Sequence, residues 1–189
     1  MDLSLAQESV THEIERNAIL LGNLLSKKNA SIKPSSITSL KDVEFRVFSQ
    51  FGEDGIIQYL ISHIDIPNPT FVEFGVENYK ESNTRFLLMV NNWKGMVIDS
   101  SENNVNSIQS SAYYWMHSIV AQKAFITSEN INNLISSKGI KEDIGILSID
   151  IDSIDYWVWD SINIVCPRIV ICEWNGTFGP DLCVTVPKE

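Results

Sequence analysis

The sequence predicts an α/β protein: a Rossmann-like, doubly wound and mainly parallel sheet of about five strands, preceded by a helical extension. Three observations carry this. From residue 70 onward, short apolar runs and helical stretches alternate about every 20 to 30 residues, the pattern of a parallel sheet wound with helices. The runs are continuously apolar, as strands buried on both faces are. Acids close them: Glu73, Asp99, Asp150 and Glu173 each stand at or next to the last residue of a run. Four carboxylates should therefore line the sheet edge where such folds keep their ligands.

The composition sets the limits. With 189 residues, 44% of them hydrophobic, the chain suffices for one well-buried core and is short for two ordinary domains. Asp and Glu number 24 against 14 Lys and Arg, giving a formal charge of −10. Without excess cations to neutralise phosphates, the charge argues against nucleic acid as a partner, local basic patches aside. Cys166, Cys172 and Cys183 form no C-x-x-C pair, and two lie in or beside an apolar run. They are expected to be buried free thiols in a reducing compartment. The start, MDLSLAQESVTHE, lacks a basic segment followed by an apolar block, and no apolar run approaches the ~20 residues that cross a bilayer. The expectation is a cytoplasmic protein with no membrane span.

Residues 4–28 place Leu5, Val10, Ile14, Ala18, Leu21 and Leu25 three to five positions apart and read as one amphipathic helix, weakened a little by Gly22. Its stripe is suited to covering the main domain or pairing with another subunit in a homodimer. Residues 29–40, Ser-rich with Pro34, form a connector, so 1–40 is taken as an N-terminal extension and 41–189 as the main domain. In 45–64, Ser49 followed by Glu53 and Asp54 signals a helix start, and Ile56, Ile57, Leu60, Ile61 and Ile64 give its buried face. His63 suits a charge partner at the helix C-terminus. Pro67 and Pro69 end this helix and lead into the central strand.

That strand is TFVEF, followed by GVENYKESN and a helix over 82–91. Gly75 allows a sharp turn or the close approach of a ligand. Further strands are predicted over 95–99, 118–125, 144–150 and 168–174. Helices are predicted from 100–104, over 127–137 with Ser128 as N-cap, and over 154–162. Asp99, about 25 residues past the glycine, is placed to accept hydrogen bonds from a ribose. Yet the G-x-G-x-x-G fingerprint of NAD sites is absent, and an acidic turn would repel a pyrophosphate at the helix N-terminus. A nucleoside without phosphates and with a cationic centre fits better, and S-adenosylmethionine is such a ligand. Each acid taken singly also has a structural explanation, such as capping a loop. Four together are better explained by a ligand with hydroxyls, an amine or a metal.

FVEFGVENYKESNTRFLL, WKGMVIDSSENNV and ILSIDIDSIDYWVWDSI, with SQFGEDGII before them and PRIVICEWN after, resemble the class I S-adenosylmethionine-dependent methyltransferases. The likeness is greatest to the FkbM-like group of bacterial polysaccharide and natural-product gene clusters, and it covers about residues 45–176. It implies that Glu73 and Gly75 lie under the methionine part of the cofactor, with Glu77 and Asn78 of the turn counted among the binding residues. It further implies that Asp99, beside Ser100, binds the ribose hydroxyls, that Ala124 and Phe125 flank the adenine, and that Asp150 faces the sulfonium and substrate. The central turn is poorer in glycine than the usual pattern. A sheet of this class usually continues with a hairpin of two more strands, whereas only GTFGPDLCVTVPKE follows here, so a shortened or C-terminally truncated fold is expected.

Asp150 and Asp152 alternate on an extended segment, so both carboxylates can share Mg²⁺ or Mn²⁺, with Glu173 a third oxygen ligand. Otherwise Asp152 caps the helix of Tyr156, Trp157 and Trp159, with Asp155 in its first turn. Trp174 and Asn175 sit where an acceptor would enter. The expected activity is methyl transfer to a hydroxyl of a sugar or nucleotide sugar, with Asp150 and Asp152 as catalytic carboxylates. The alternatives are a non-catalytic cofactor-binding or assembly protein of the same fold and an NAD-dependent sugar-modifying enzyme.

Overall fold

The computed structural model describes residues 3–152, 154–174, 176–179 and 181–188, without the side chains of 3–6 and 8. Two compact units emerge: Met1–Asp65 with Glu81–Asn91, and Ile66–Lys80 with Asn92–Glu189. The α/β architecture is as predicted, with an all-parallel sheet of five strands in a Rossmann-like doubly wound order.

The second unit holds the sheet. Its strands are β1 (Thr70–Phe74), β2 (Lys94–Asp99), β3 (Ile119–Lys123), β4 (Glu142–Ile149) and β5 (Val165–Cys172), in the order β3-β2-β1-β4-β5. The chain steps outward from β1 to β3, then returns to lay β4 beside β1, which opens a switch point between those two strands. Every residue of β1 is buried, the reason three of its five residues are large and apolar, with Thr70 and Glu73 the buried polar exceptions. Val72, Phe74, Met96, Ile98, Leu147 and Ile149 share a core with Ile131 and Ile135 of helix α6 (Ile131–Ser136) and Val158 of α7 (Asp155–Ser161).

Several boundaries differ from expectation. β5 begins before Pro167, which an edge strand tolerates because one side needs no ladder donor. The helix predicted over 127–137 starts later, and Ser128 does not cap it. The Ser128 hydroxyl donates to Glu129 instead, while the Asn130 side chain accepts from Thr127 N–H. After β2, α4 (Glu102–Gln109) is capped by Ser101, and a further short helix, α5 (Ala112–Met116), was not anticipated. Five residues are too few to establish a helical period. Tyr113 of α5 packs its ring 5.9 Å from that of fully buried Tyr79. The cysteines are free but exposed, not buried: Cys166 and Cys172 project from an edge strand covered on one side only, and Cys183 lies in the C-terminal segment outside regular secondary structure.

The first unit contains α1 (Leu3–Ala30), α2 (Glu53–His63) and α3 (Arg85–Asn91). The Leu5 side chain, assigned to the apolar stripe of α1, lies outside the described residues. α1 packs through a different face. Glu15 pairs with buried Arg85 at 2.8 Å, Asn29 donates to the Val43 carbonyl at 2.7 Å, and a Cβ at Gly22 would meet Phe86 and Val47 at 2.7 Å. Gly22, which costs helix propensity, thus permits a close approach. The N-cap of α2 is Gly52 rather than Ser49. Asp54 Oδ2 accepts from the N–H groups of Val47, Phe48 and Ser49, and Ser49 Oγ accepts from Asp54 N–H. On α2, Asp54, Gly55, Ile57, Gln58 and Tyr59 are buried; of the rest of the predicted face, Ile56, Leu60 and Ile61 are half-buried and Ile64 is exposed. Among the described residues, no helix is long and apolar enough to cross a membrane.

Candidate functional site

The C-terminal edge of the sheet is shaped by the turn after β1. Gly75 continues the ladder by donating to the Ile98 carbonyl, then turns the chain with φ +70. A Cβ there would lie 1.5 Å from the Asp150 carbonyl oxygen, so only glycine fits. Glu77 and Tyr79 also adopt positive φ, at 47° and 62°. The turn is tight because β1 and β4 are hydrogen-bonded neighbours just beneath it.

Register places the acids on one face. Glu73 is paired with Val97 on β2 and Ser148 on β4, and Ser148 with Ile171 on β5. Paired residues share a face, and so do residues two apart on a strand. Glu73 and Asp99 therefore lie on the face opposite Val72 and Met96, with Asp150 and Glu173 following Ser148 and Ile171 just past the ends of β4 and β5.

Asp99 is the most constrained acid. Its Oδ2 accepts from Glu77 N–H at 2.8 Å, and its Oδ1 from Ser101 N–H at 2.8 Å and Asn104 Nδ2 at 3.1 Å. One side chain thus ties the turn after β1 to the start of α4. Glu73, 4% exposed, accepts from Ser148 Oγ at 3.4 Å. Ser148 and Asn104 were not singled out from the sequence. A lone serine inside the apolar run IGILSI was the signal for the first, and no pattern marks the second.

Asp150, Asp152 and Glu173 are exposed and close together, each offering a carboxylate oxygen within 4.8 Å of the others. A hard divalent ion sits 2.0 to 2.6 Å, roughly, from carboxylate oxygens, so one ion can bridge oxygens spaced in this way. Asp152 does not cap α7, whose N-cap is Ile154 without a side-chain bond. Asp152 instead holds φ +60, and Asp155 Oδ1 takes the Ile151 N–H. Although Asp150 is exposed as a residue, partial desolvation of its carboxyl, then the negative charges of Glu173, Asp152, Asp155 and Glu73, push its pKa from 3.8 up to about 6.

The remaining predicted residues fall around this edge. Ala124 N–H donates to the Asp99 carbonyl and Ala124 packs on the core, while the Phe125 ring is 76% exposed beside it. Ser100 and Glu77 are exposed, and Asn78 Oδ1 accepts from Lys80 N–H. Trp174 is exposed, and Asn175 lies outside the described residues. His63 belongs to the first unit, at the end of α2, with Nδ1 between Ser62 Oγ and the Tyr59 carbonyl. A depression of about 200 Å³ lies at the N-terminal ends of β1, β2 and β3, lined by Thr70, Lys94, Ser118, Lys138 and Lys141 among others. The acidic edge is the stronger candidate because the switch point of an open parallel sheet opens at its carboxyl end. Compared with known proteins, the chain matches no family model, no curated protein and no solved structure.

Proposed function

We propose that the chain binds S-adenosylmethionine at the acidic edge and methylates a hydroxyl of a sugar or nucleotide sugar, in cytoplasmic polysaccharide or natural-product biosynthesis. The observation that carries this is the gathering of Glu73, Asp99, Asp150 and Glu173 on one face, at the carboxyl end of β1, β2, β4 and β5. Such an acceptor-rich edge is matched to a ligand with an ammonium, ribose hydroxyls and a sulfonium, and mismatched to a diphosphate. Phe125 offers an apolar face for a base. Asp99 already receives three protein donors, and a carboxylate has about four acceptor sites. One acceptor position is left for a ribose hydroxyl.

When bound, S-adenosylmethionine supplies an already activated methyl group. The protein then has to align an acceptor oxygen and remove its proton. Asp150, with a pKa of about 6, is a base that is ionised at neutral pH yet still protonatable. Asp152 stands beside it and, with Asp150 and Glu173, could hold Mg²⁺ or Mn²⁺ to orient and acidify the hydroxyl. The partners are a small-molecule acceptor and, through α1, a second copy of the chain.

Isothermal titration with S-adenosylmethionine, its demethylated product and NAD tests the cofactor, and mass spectrometry with candidate nucleotide sugars tests the reaction. The expected result is binding of the first two, weakened at least tenfold by Asp99→Ala. Binding of NAD alone would overturn the proposal. A non-catalytic protein of the same fold is favoured by the internal bonding of Asp99, and a folded chain that binds none of the three would establish that reading instead.

A further inference from the structure

α1 carries two separate faces. The one through Glu15, Gly22 and Asn29 is packed within its own unit. The other holds Val10, Ile14, Leu21 and Leu24, between 59% and 64% exposed, with exposed Asn17 at its centre. With Gln7 and Lys28 at its ends, this face follows alternating steps of three and four residues, the heptad spacing by which one helix seats its side chains between those of another. It runs along about 32 Å of helix at 1.5 Å per residue.

We infer that this face is the seam of an antiparallel helix pair made with α1 of a second copy. The spacing selects a helix as occupant. No other α-helix among the described residues exceeds the 11 residues of α2, whereas a second α1 matches the seam in length. The direction follows from charge. Before Asn17 the helix carries more acids than bases, and after it come Lys27 and Lys28 with no acid. Antiparallel pairing sets acidic half against basic half and opposes the two helix dipoles, while parallel pairing stacks like on like. It also fixes the register: Asn17 meets Asn17 of the other copy, with Val10 near Leu24 and Ile14 near Leu21 on either side. A single polar pair in an apolar seam penalises slipped registers, in which each amide would be buried without a partner.

This goes beyond the enzymatic proposal and is independent of the cofactor. Sedimentation equilibrium of the wild-type chain should give a dimer, and Leu21→Glu with Leu24→Glu a monomer with an unchanged far-ultraviolet spectrum. Because both side chains are exposed, neither charge disturbs the packed face. Cysteine mapping reads the geometry without weakening the seam, in a background with Cys166, Cys172 and Cys183 changed to Ser. Asn17→Cys should cross-link to itself, and Val10→Cys should cross-link to Leu24→Cys in a mixture but not to itself. A wild-type monomer at all concentrations, or Val10→Cys joining its own copy, would overturn the inference. Titration of the monomeric variant with S-adenosylmethionine decides the cofactor separately, so failure of one proposal is not mistaken for failure of the other.

Discussion

At Asp150, proximity becomes a titration. The carboxyl is pushed to about 6 by desolvation and by Glu173, Asp152, Asp155 and Glu73, against an ordinary 3.8. Between these two values the unfolded chain has lost the Asp150 proton and the folded chain still holds it. Folding therefore takes up a proton, and raising the pH through this window removes stability. Chemical denaturation followed between pH 4 and pH 7 should show that decline, flattened by Asp150→Asn. A slope unchanged by the substitution would place the titration elsewhere. Gly75 gives a second prediction at this scale. Gly75→Ala drives a Cβ to 1.5 Å from the Asp150 carbonyl at a positive φ, so β1 and the Asp150 segment must separate. A loss of a few kcal/mol is expected, of the order found for strained backbone combined with a steric clash, and thermal unfolding measures it. Sequence alone suggested the need for glycine here, but not that the neighbour is the backbone of Asp150, because contacts between distant strands leave no local trace.

Among the elements, the start of α2 turns on one side chain. Asp54, 1% exposed, receives three backbone N–H groups from the loop before the helix, and burial still raises its pKa. Asp54→Ala would leave those donors without their acceptor, two of them buried, at a cost of about 3 kcal/mol. Asp54→Glu would not rescue it, since the longer side chain cannot reach all three from the same position; urea denaturation of both variants checks this. Here the expectation from sequence was right in kind and wrong in detail. SQFGEDG announced a helix start, but the capping runs backward from Asp54 into the loop, not forward from Ser49 alone. The strands were legible because burial on both faces selects mostly apolar residues, leaving runs such as Ile144 to Leu147 in which few polar side chains intervene. Short elements were not. α5, with exposed Trp115 and Met116, has no period to read and depends on Tyr113 finding Tyr79.

For the whole molecule, the excess of acids is both a diffuse and a local load. A net charge of −10 opposes compaction generally, and simple salt screens it over a Debye length of about 8 Å at physiological ionic strength. The trio Asp150, Asp152 and Glu173 concentrates the same repulsion within 4.8 Å, where screening is less effective than a bound cation. These two effects separate experimentally. At pH 7, MgCl₂ or MnCl₂ should raise Tm more than NaCl at equal ionic strength, because an ion that binds only the folded state adds stability in proportion to the logarithm of its concentration. The excess should shrink as pH falls below about 6, where protons compete for Asp150, and should vanish in Asp152→Asn with Glu173→Gln. Equal shifts from both salts would mean that the trio holds no ion and that the acids act only through their summed field. Under the proposed methyl transfer, the proton of an acceptor hydroxyl would in that case have to be taken by Asp150 unaided.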